Sequence, residues 1–268
     1  MFYNAKNRNI KIENTDIDFL TFGKGDKYLV MIPGLGDGLK TTKGMAIPFA
    51  FLYKRFARNY KVIVISRRNE LKPNYTTEQM ADDVKYVLDS LGVTKIDLLG
   101  VSQGGMISEY IAIKYPELVN KLVLTVTASR PNETINNVIT SWINMAKEER
   151  YKDIFIDTAE KSYTEKTLSK YRKYYNLVDA FIKLKNPDRF IIQANSCITH
   201  NAYSKLSKIK CPTLIIGGKK DKIVGIESSI DIHNKIPNSE IYIYNKYGHG
   251  LYEEAKDFNE RVINFLKK

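Results

Sequence analysis

The sequence lacks the marks of a secreted or membrane-spanning protein. It contains only two cysteines, Cys197 and Cys211, in 268 residues. Two cysteines could form one bond at most, and a chain of this length buries enough surface to fold without a disulfide scaffold. No apolar run reaches the roughly 18 residues needed to span a bilayer. The polar residues 1–18 contain no apolar segment of the kind found in signal peptides. We therefore expect a cytoplasmic protein without stable insertion into a membrane.

The sequence also lacks the arginine-rich runs that are typical of nucleic-acid-binding proteins. Its formal net charge is +12, but the excess comes mostly from lysines scattered along the chain. We interpret these lysines as a solvated surface and expect no nucleic-acid partner. A mild attraction to anionic substrates or membrane surfaces stays open.

One short motif is central to the pattern of the chain. Gly100-Val101-Ser102-Gln103-Gly104-Gly105 joins an apolar β-type run, Ile96–Leu99, to a helix-period run that Pro116 ends. This order predicts a strand that turns sharply into a helix, with Ser102 at the tip of the turn. A Cβ atom at the flanking glycines would collide with the neighbouring strand or helix. The hydroxyl of Ser102 is then clear of the sheet, where it can act as a nucleophile.

Apolar runs alternate with helix-period runs on both sides of this motif. The alternation predicts an α/β fold in which a mostly parallel sheet is covered by helices on both faces. One predicted helix covers residues 47–58, and another follows the capping-box sequence Thr76–Gln79. We predict eight strands: Ile10–Glu13, Asp16–Phe22, Tyr28–Ile32, Lys61–Ile65, Ile96–Leu99, Lys121–Val126, Thr213–Ile216 and Glu240–Tyr244.

The alternation stops after Ser129. Residues 131–197 have helical periodicity, no convincing strand, and many aromatic side chains interleaved with lysines. We predict that this segment is an inserted helical cap, and that residues 1–130 and 198–268 form the core. Most cap aromatics are expected to pack within the cap, but some must face the cleft if the cap covers the nucleophile. Trp142 is our candidate for such a substrate-binding residue.

A serine hydroxyl needs a base within hydrogen-bond reach, and the base needs a carboxylate that orients it. The chain has three histidines. We favour His249 as the base, because it follows the last predicted strand at the sheet edge where open α/β folds bind ligands. Its glycine neighbours let the loop bend towards the site. We expect His200 and His233 to be structural or exposed.

Asp221 is the candidate acid. It follows the strand Thr213–Ile216, which gives the chain order Ser102, Asp221, His249 that this architecture requires. No acidic residue directly follows the strand Lys121–Val126, the other place from which such folds supply the acid. Taken alone, Asp221 could instead be a helix-capping residue in a polar turn.

The oxyanion of a tetrahedral intermediate needs two preformed hydrogen-bond donors. The glycine-dense segment Pro33-Gly34-Leu35-Gly36-Asp37-Gly38 follows a buried strand, and we expect an irregular loop whose backbone N–H groups face a ligand. A flexible connector is the alternative. The N–H groups of Leu35 and Gln103 are our candidate donors, and Gly34 is a candidate for contact with the substrate.

Together these segments resemble the α/β-hydrolase superfamily, over nearly the whole chain except the cap. The similar segments are Pro33–Gly36, Gly100–Gly105, Lys114–Val119, Gly217–Asp221 and Gly248–Gly250. The resemblance implies a nucleophile at Ser102, an acid at Asp221 and a base at His249. It also implies an oxyanion hole formed by Leu35 and Gln103.

The sequence departs from the family pattern in two places. Pro33 replaces the usual histidine before the oxyanion glycine, so the loop must be supported differently. The segment Asp-x-Arg-Gly, common after the fourth strand, is Ser66-Arg67-Arg68-Asn69 here. Neither change removes a reacting group. Because the turn carries serine rather than aspartate, dehalogenases and epoxide hydrolases are disfavoured.

We therefore expect a serine hydrolase, with no metal and no cofactor, that acts on a small-molecule acyl compound. A carboxylic ester is the favoured substrate class. Hydrolysis of a thioester, an amide or peptide, or a carbon–carbon bond stays open, and so does acyl transfer. A protein of another class, a non-catalytic receptor that binds a ligand in the cleft, is the remaining alternative. The sequence leaves the oligomeric state undecided.

Overall fold

The computed structural model describes residues 3–180 and 187–268, excluding the side chains of residues 177–180. One eight-stranded sheet runs through this part of the chain. Its strands are β1 (Lys6–Ile12), β2 (Thr15–Phe22), β3 (Lys27–Ile32), β4 (Tyr60–Arg68), β5 (Ile96–Val101), β6 (Val119–Thr125), β7 (Thr213–Gly218) and β8 (Ser239–Tyr244).

The strand order in the sheet is β1-β2-β4-β3-β5-β6-β7-β8. β1 pairs with β2, and β2 with β4, in the antiparallel direction, and every other pair is parallel. The predicted eight-stranded, mostly parallel sheet is therefore confirmed. Every strand is longer than predicted, and β1 and β4 differ the most. β1 begins at Lys6 because it is an exposed edge with little apolar signal, and β4 continues to Arg68 because its last polar side chains are buried.

Helices connect the strands on both faces of the sheet. They are α1 (Ala46–Leu52), α2 (Thr77–Ser90), α3 (Gln103–Lys114), α4 (Glu133–Lys147), α5 (Tyr151–Ser162), α6 (Glu165–Tyr171), α7 (Pro187–Thr199), α8 (Ile226–Lys235), α9 (Leu251–Glu254) and α10 (Phe258–Lys267). The predicted capping box at the start of α2 is present, with the Thr76 hydroxyl accepting from the Gln79 N–H.

Two local predictions were wrong. The helix predicted over residues 47–58 ends at Leu52, and a separate 3-10 turn, Phe56–Arg58, turns the fully buried Phe56 into the core. The segment expected to be irregular contains a 3-10 turn, Leu35–Gly38. Main-chain hydrogen bonds of 3.1 Å from Asp37 to Gly34 and from Leu39 to Gly36 form this turn. Short turns of this kind carry no hydrophobic period, so a sequence pattern does not indicate them.

The core lies on both faces of the central strands. Side chains alternate along a strand, so Leu29 and Met31 of β3 point to one face and Val30 and Ile32 to the other. The first pair packs in the cluster that includes α10, and the second pair packs in the cluster that includes α2 and α3. Both faces are therefore apolar, which explains why the parallel strands are nearly continuous hydrophobic runs.

A helical insertion separates β6 from β7. In its described residues it consists of α4 to α7 and short 3-10 turns, with no strand. A third apolar cluster joins this insertion to the core and contains Leu35, Met106, Trp142, Phe190 and Ile223. Residues 181–186 of the predicted cap lie outside the described residues, and the division into a core and a cap of residues 131–197 stays a prediction.

The two thiols, Cys197 and Cys211, are free in the structure. Within residues 3–180 and 187–268, no helix combines the length and the apolar character required to cross a membrane.

A buried polar cluster ties the end of the insertion to the core. His200 follows α7, and its Nε2 lies 3.0 Å from Oε2 of Glu109 on α3, while its Nδ1 lies 2.8 Å from Oγ1 of Thr77 on α2. Burial raises the pKa of Glu109 well above its ordinary value and lowers the pKa of His200 to about 3. Burial therefore favours the uncharged form of both groups, and a protonated Glu109 can donate to Nε2 in this hydrogen bond.

This cluster predicts a pH-dependent effect of the Glu109→Gln substitution. The folded protein keeps the Glu109 proton, which the unfolded chain releases above its ordinary pKa of 4.5. Stability from this group is therefore complete at low pH and is lost as the pH rises, by up to about 1.4 kcal/mol per pH unit. The amide of the Gln variant has no such loss. We expect the variant's free energy of unfolding, relative to the wild type, to increase as the pH rises above about 7.

Urea denaturation at several pH values measures this difference. His200 has the opposite dependence, since its stability term rises with pH between about 3 and 6.5. Because His200 contacts Glu109, the two proteins are compared above about pH 7, where the His200 term no longer changes with pH. The exposed Glu117→Gln variant is the control and should follow the wild type. Parallel curves for Glu109→Gln and the wild type would mean that Glu109 is ionised in the folded state.

Candidate active site

Ser102 lies at the junction of β5 and α3 with a backbone conformation of φ 54° and ψ −123°. A non-glycine residue in this region is strained, and such strain persists only where the surroundings enforce it. The glycines beside it are sterically required, as expected. A Cβ at Gly100 would lie 2.4 Å from Oγ of Ser108, and one at Gly104 would lie 2.0 Å from the carbonyl oxygen of Ile32. The turn therefore presents the Ser102 side chain at the carboxyl end of the sheet.

The strand next to β5 supports this turn. The N–H of Ser102 donates to the carbonyl of Thr125 at 2.9 Å, and the hydroxyl of Thr127 donates to the carbonyl of Ser102 at 2.7 Å. Val126, between these two, has a φ of 44°, an outlying value for a β-branched residue. The sequence contained no signal for this support, because a threonine after a strand is unremarkable in any pattern.

His249 and Asp221 form a hydrogen-bonded pair. Nδ1 of His249 lies 2.8 Å from Oδ2 of Asp221. The other carboxylate oxygen accepts from the N–H groups of Ile223 at 2.8 Å and Val224 at 3.0 Å. Asp221 thus caps its own turn with one oxygen and contacts the imidazole with the other. An acceptor at Nδ1 fixes the tautomer that leaves Nε2 free to take a proton.

The glycines beside His249 are required by close packing. A Cβ at Gly248 would lie 2.8 Å from the carbonyl oxygen of Lys220, and one at Gly250 would lie 2.6 Å from Cδ1 of Tyr163. Neither glycine has a positive φ. They therefore serve the close approach of the loop to its neighbours, and not the sharp bend that the sequence suggested.

The topology places the three residues at one edge of the sheet. Ser102, Asp221 and His249 follow the parallel strands β5, β7 and β8, and one strand, β6, separates the first two. Because these strands are parallel, the loops that carry the three residues all follow the carboxyl ends of their strands and lie along the same edge of the sheet. Among the described residues, neither Oγ of Ser102 nor Nε2 of His249 has a hydrogen-bond partner.

Two backbone N–H groups are available beside Ser102. A Cβ at Gly34 would lie 3.2 Å from Cβ and 3.8 Å from Oγ of Ser102, so this loop is in contact with the serine. Leu35 begins the 3-10 turn and Gln103 begins α3. The N–H groups at the start of a helix have no partner within it. In the described part of the chain, these two N–H groups donate to no protein acceptor, so an oxyanion could bind to both.

Helix α7 and the turn residue Leu35 contribute to an apolar cluster near the serine. This cluster also contains Trp142, which is 4% exposed. Its indole N–H donates to Oδ2 of Asp157 at 2.6 Å and is therefore engaged within the insertion. The role of Trp142 in substrate binding stays a prediction. His233 lies away from the site, with Nδ1 2.9 Å from Oγ of Ser239.

Sequence reasoning missed a buried charged network under the Gly34–Leu35 loop. Nη2 of Arg67 donates to Oε1 of Gln103 at 2.7 Å, to the carbonyl of Gly34 at 3.3 Å and to the carbonyl of Pro33. Nη2 of Arg189, on α7, donates to Oδ2 of Asp37 at 2.6 Å. The unusual segment containing Arg67 was a signal, but nothing in the sequence of the insertion singled out Arg189.

The charged side chains of this network are buried. Arg67, Arg189 and Asp37 are 2%, 6% and 1% exposed. Burial alone would raise the pKa of Asp37, but Arg189 and Arg67 hold it below its ordinary value. Burial lowers the pKa of Arg67 to about 10, which leaves it charged at neutral pH. Within the described residues, no group of three or more His, Cys, Asp or Glu side chains could hold a metal ion.

Known proteins are similar to this chain in sequence and in fold. A 2-hydroxy-6-oxononadienedioate/2-hydroxy-6-oxononatrienedioate hydrolase from Pseudomonas sp is 27% identical over 271 residues, covering 92% of this chain and 90% of that protein. The hydrolase of the same name from Escherichia coli strain K12 is also 27% identical, over 280 residues that cover 94% of this chain and 91% of that protein.

Solved structures share the fold over almost their full lengths. The α/β hydrolase MGS-M2 from a Medee basin deep-sea metagenome superposes with a TM-score of 0.86 at 21% identity, covering 97% of this chain and 98% of that one. The enol-lactonase from Burkholderia xenovorans LB400 gives 0.80 at 16% identity, with 97% and 100% covered. The esterase EaEST from Exiguobacterium antarcticum gives 0.77 at 20% identity, with 95% and 96% covered.

A family model described as the alpha/beta hydrolase fold matches residues 27–256, which include every strand from β3 to β8 and the whole insertion. Because this match spans most of the chain and the sheet order and serine turn agree with it, the protein belongs to the α/β-hydrolase fold family and is a hydrolase.

Proposed function

We propose that this hydrolase cleaves a carboxylic ester through an acyl-enzyme on Ser102, with His249 as general base and Asp221 as the acid that orients it. The observation that carries the proposal is the 2.8 Å contact between His249 and Asp221, at the same sheet edge as the strained turn of Ser102. A strained serine, an oriented imidazole and two open N–H donors are the parts that acyl transfer requires.

The proposed reaction has two half-reactions. Nε2 of His249 accepts the proton of Ser102 as Oγ attacks the ester carbonyl, and the N–H groups of Leu35 and Gln103 bind the oxyanion that forms. The imidazolium, stabilised by Asp221, then donates the proton to the departing alcohol. In the second half-reaction His249 removes a proton from water, which attacks the acyl-enzyme and releases the acid.

The surroundings of the serine support an uncharged acyl substrate. The cluster that joins the insertion to the core is apolar and includes Leu35, Met106 and Phe190. The two buried arginines are engaged by the protein itself, Arg67 by main-chain carbonyls and Gln103, and Arg189 by Asp37. A substrate carboxylate would have to compete for these cations. We therefore propose a neutral, largely apolar acyl group.

Carbon–carbon bond hydrolysis is the second candidate, and the relatives favour it. The two enzymes at 27% identity are hydrolases of dienedioates by name, and their likeness extends over nine-tenths of their length. The same nucleophile, base and oxyanion donors would serve that reaction. The substrate would then carry two carboxylates, which the apolar cluster does not favour. Acyl transfer to an acceptor other than water is a further variant of the same chemistry.

Labelling with a fluorophosphonate tests the nucleophile and separates an enzyme from a receptor of the same fold. The reagent phosphonylates only an activated serine. We expect stoichiometric labelling of the wild type and none of Ser102→Ala, with ester turnover reduced by at least about 10³-fold in the variant. The exposed Ser169→Ala variant is the control and should label fully. A wild type that neither labels nor turns over an ester would favour a receptor.

The Asp221→Asn substitution tests the acid. An amide at this position can donate to Nδ1 and select the wrong imidazole tautomer, so we expect kcat to fall by about 10³- to 10⁴-fold. His249→Ala should cause a similar loss. Asp231→Asn, an exposed carboxylate paired with Arg130, is the matched control and should keep full activity. Full activity in Asp221→Asn would place the acid at another residue.

A substrate panel tests the bond that is cleaved. p-Nitrophenyl esters of increasing acyl length should be hydrolysed with kcat/KM at least tenfold above that for a 2-hydroxy-6-oxodienedioate, assayed by loss of the dienol chromophore. Thioester and peptide controls complete the panel. Preference for the dienedioate would reverse the order of the two candidates and leave the role of Ser102 intact.

A further inference from the structure

We propose that Arg67 is a positioning residue that sets the geometry of both oxyanion donors. This inference rests on the proposed function of Ser102, because an oxyanion hole has meaning only for that reaction. It concerns a residue of β4 that lies outside the Ser102, His249 and Asp221 constellation and does not touch the reacting atoms.

Arg67 fixes the peptide unit that carries the first donor. The carbonyl of Gly34, which accepts from Nη2 of Arg67 at 3.3 Å, belongs to the same planar peptide as the N–H of Leu35. Holding that carbonyl therefore fixes the direction of the N–H on the other side of the plane. A hydrogen bond from a cation to the carbonyl also polarises the peptide and strengthens its N–H as a donor. The carbonyl of Pro33, one peptide earlier, accepts from the same nitrogen.

The same guanidinium holds the residue that carries the second donor. Nη2 of Arg67 donates to Oε1 of Gln103 at 2.7 Å. The side-chain amide then donates to the carbonyl of Gln193 at 2.7 Å and to Oγ of Ser196 at 3.1 Å, both on α7. Gln103 is completely buried. Its main-chain N–H therefore has a fixed position relative to that of Leu35, because one nitrogen of Arg67 contacts both the Gln103 side chain and the Gly34 carbonyl of the peptide that carries the Leu35 N–H.

Charge adds to this geometric effect. The guanidinium of Arg67 is 2% exposed. Its positive charge lies directly under the loop in which negative charge would develop. In a buried site, such fixed charge stabilises an oxyanion more strongly than it would in water.

The arrangement explains the two departures from the family pattern. Arg68 stands in register with the arginine of Asp-x-Arg-Gly and pairs with Asp83 through Nε and Nη2, at 2.9 and 2.7 Å. Arg67 stands at the unspecified position and turns to the other side, towards Pro33. Where the family usually has a histidine before the oxyanion glycine, this chain has a carbonyl that Arg67 holds. The two departures therefore compensate for each other.

Matched substitutions of the two neighbouring arginines test the inference. Arg67→Lys keeps the positive charge but loses the planar guanidinium, which can donate to several acceptors at once. We expect its kcat on a p-nitrophenyl ester to fall about 10- to 100-fold with KM changed less than about threefold, because the transition state is affected and the bound substrate is not. Its affinity for a trifluoromethyl ketone, which forms a tetrahedral adduct with the serine, should fall by the same factor. Arg68→Lys should keep kcat within about twofold.

A measurement that needs no activity completes the test. The N–H groups of Asp37, Leu39 and Lys40 close the 3-10 turn of the loop, at 3.1 Å each. Their hydrogen exchange should accelerate about tenfold in Arg67→Lys and stay unchanged in Arg68→Lys. If Arg67→Lys does not fold, Arg67→Gln, whose amide still donates to one carbonyl, is assayed in the same way.

The outcomes separate the inference from the proposed function. A wild type that is neither labelled by fluorophosphonate nor active on esters would overturn the proposed function, and the positioning role with it. An active, labelled wild type whose Arg67 variants keep kcat and the affinity for the ketone would overturn only the role of Arg67. Unchanged exchange in the loop of an Arg67 variant would also overturn it. Equal losses in the Arg67 and Arg68 variants would reduce Arg67 to a structural residue.

Discussion

The strained backbone of Ser102 is the constraint on which the rest of the structure depends. A φ of 54° at a non-glycine residue costs free energy and is stable only if the surroundings prevent its relaxation. The glycines at 100 and 104 allow the neighbouring chain to approach within contact distance, and Thr127 fixes the carbonyl of the turn. The parallel sheet then supplies fixed positions, one strand apart, for the loops that carry Asp221 and His249.

Much of this arrangement could be predicted, because it depends on periodic or short-range features. The buried strands are continuous apolar runs, α2 begins with a capping box, and the serine lies between glycines at a fixed spacing. The chain order of Ser102, Asp221 and His249 follows from the positions of three loops after three strands. Their hydrogen bonding could not be predicted, since a sequence does not show that Asp221 uses one oxygen for its own turn and the other for the imidazole.

What escaped prediction is set by contacts between residues distant in the chain. Arg189 and Asp37 are 152 positions apart, and each is an ordinary polar residue in its own segment. The exposed strand β1 lacked an apolar signal, and the break after α1 is imposed by the burial of Phe56. The polar end of β4 falls outside the predicted strand because Ser66 and Arg67 look solvent-exposed in a sequence. Their burial depends on partners from distant segments, Thr42 for Ser66 and Gln103 for Arg67.

The attachment of α7 divides the insertion into two mechanically different parts. Arg189 and Gln193 on this helix bind the loop at Asp37 and the side chain of Gln103, and a Cβ at Gly38 would lie only 3.1 Å from Phe190. Separating α7 from the core would break the buried ion pair between Arg189 and Asp37, at a cost of several kcal/mol. This helix is therefore a fixed wall of the cleft. We therefore expect any motion of the insertion that admits a substrate to occur in α5 or α6, and not in α7.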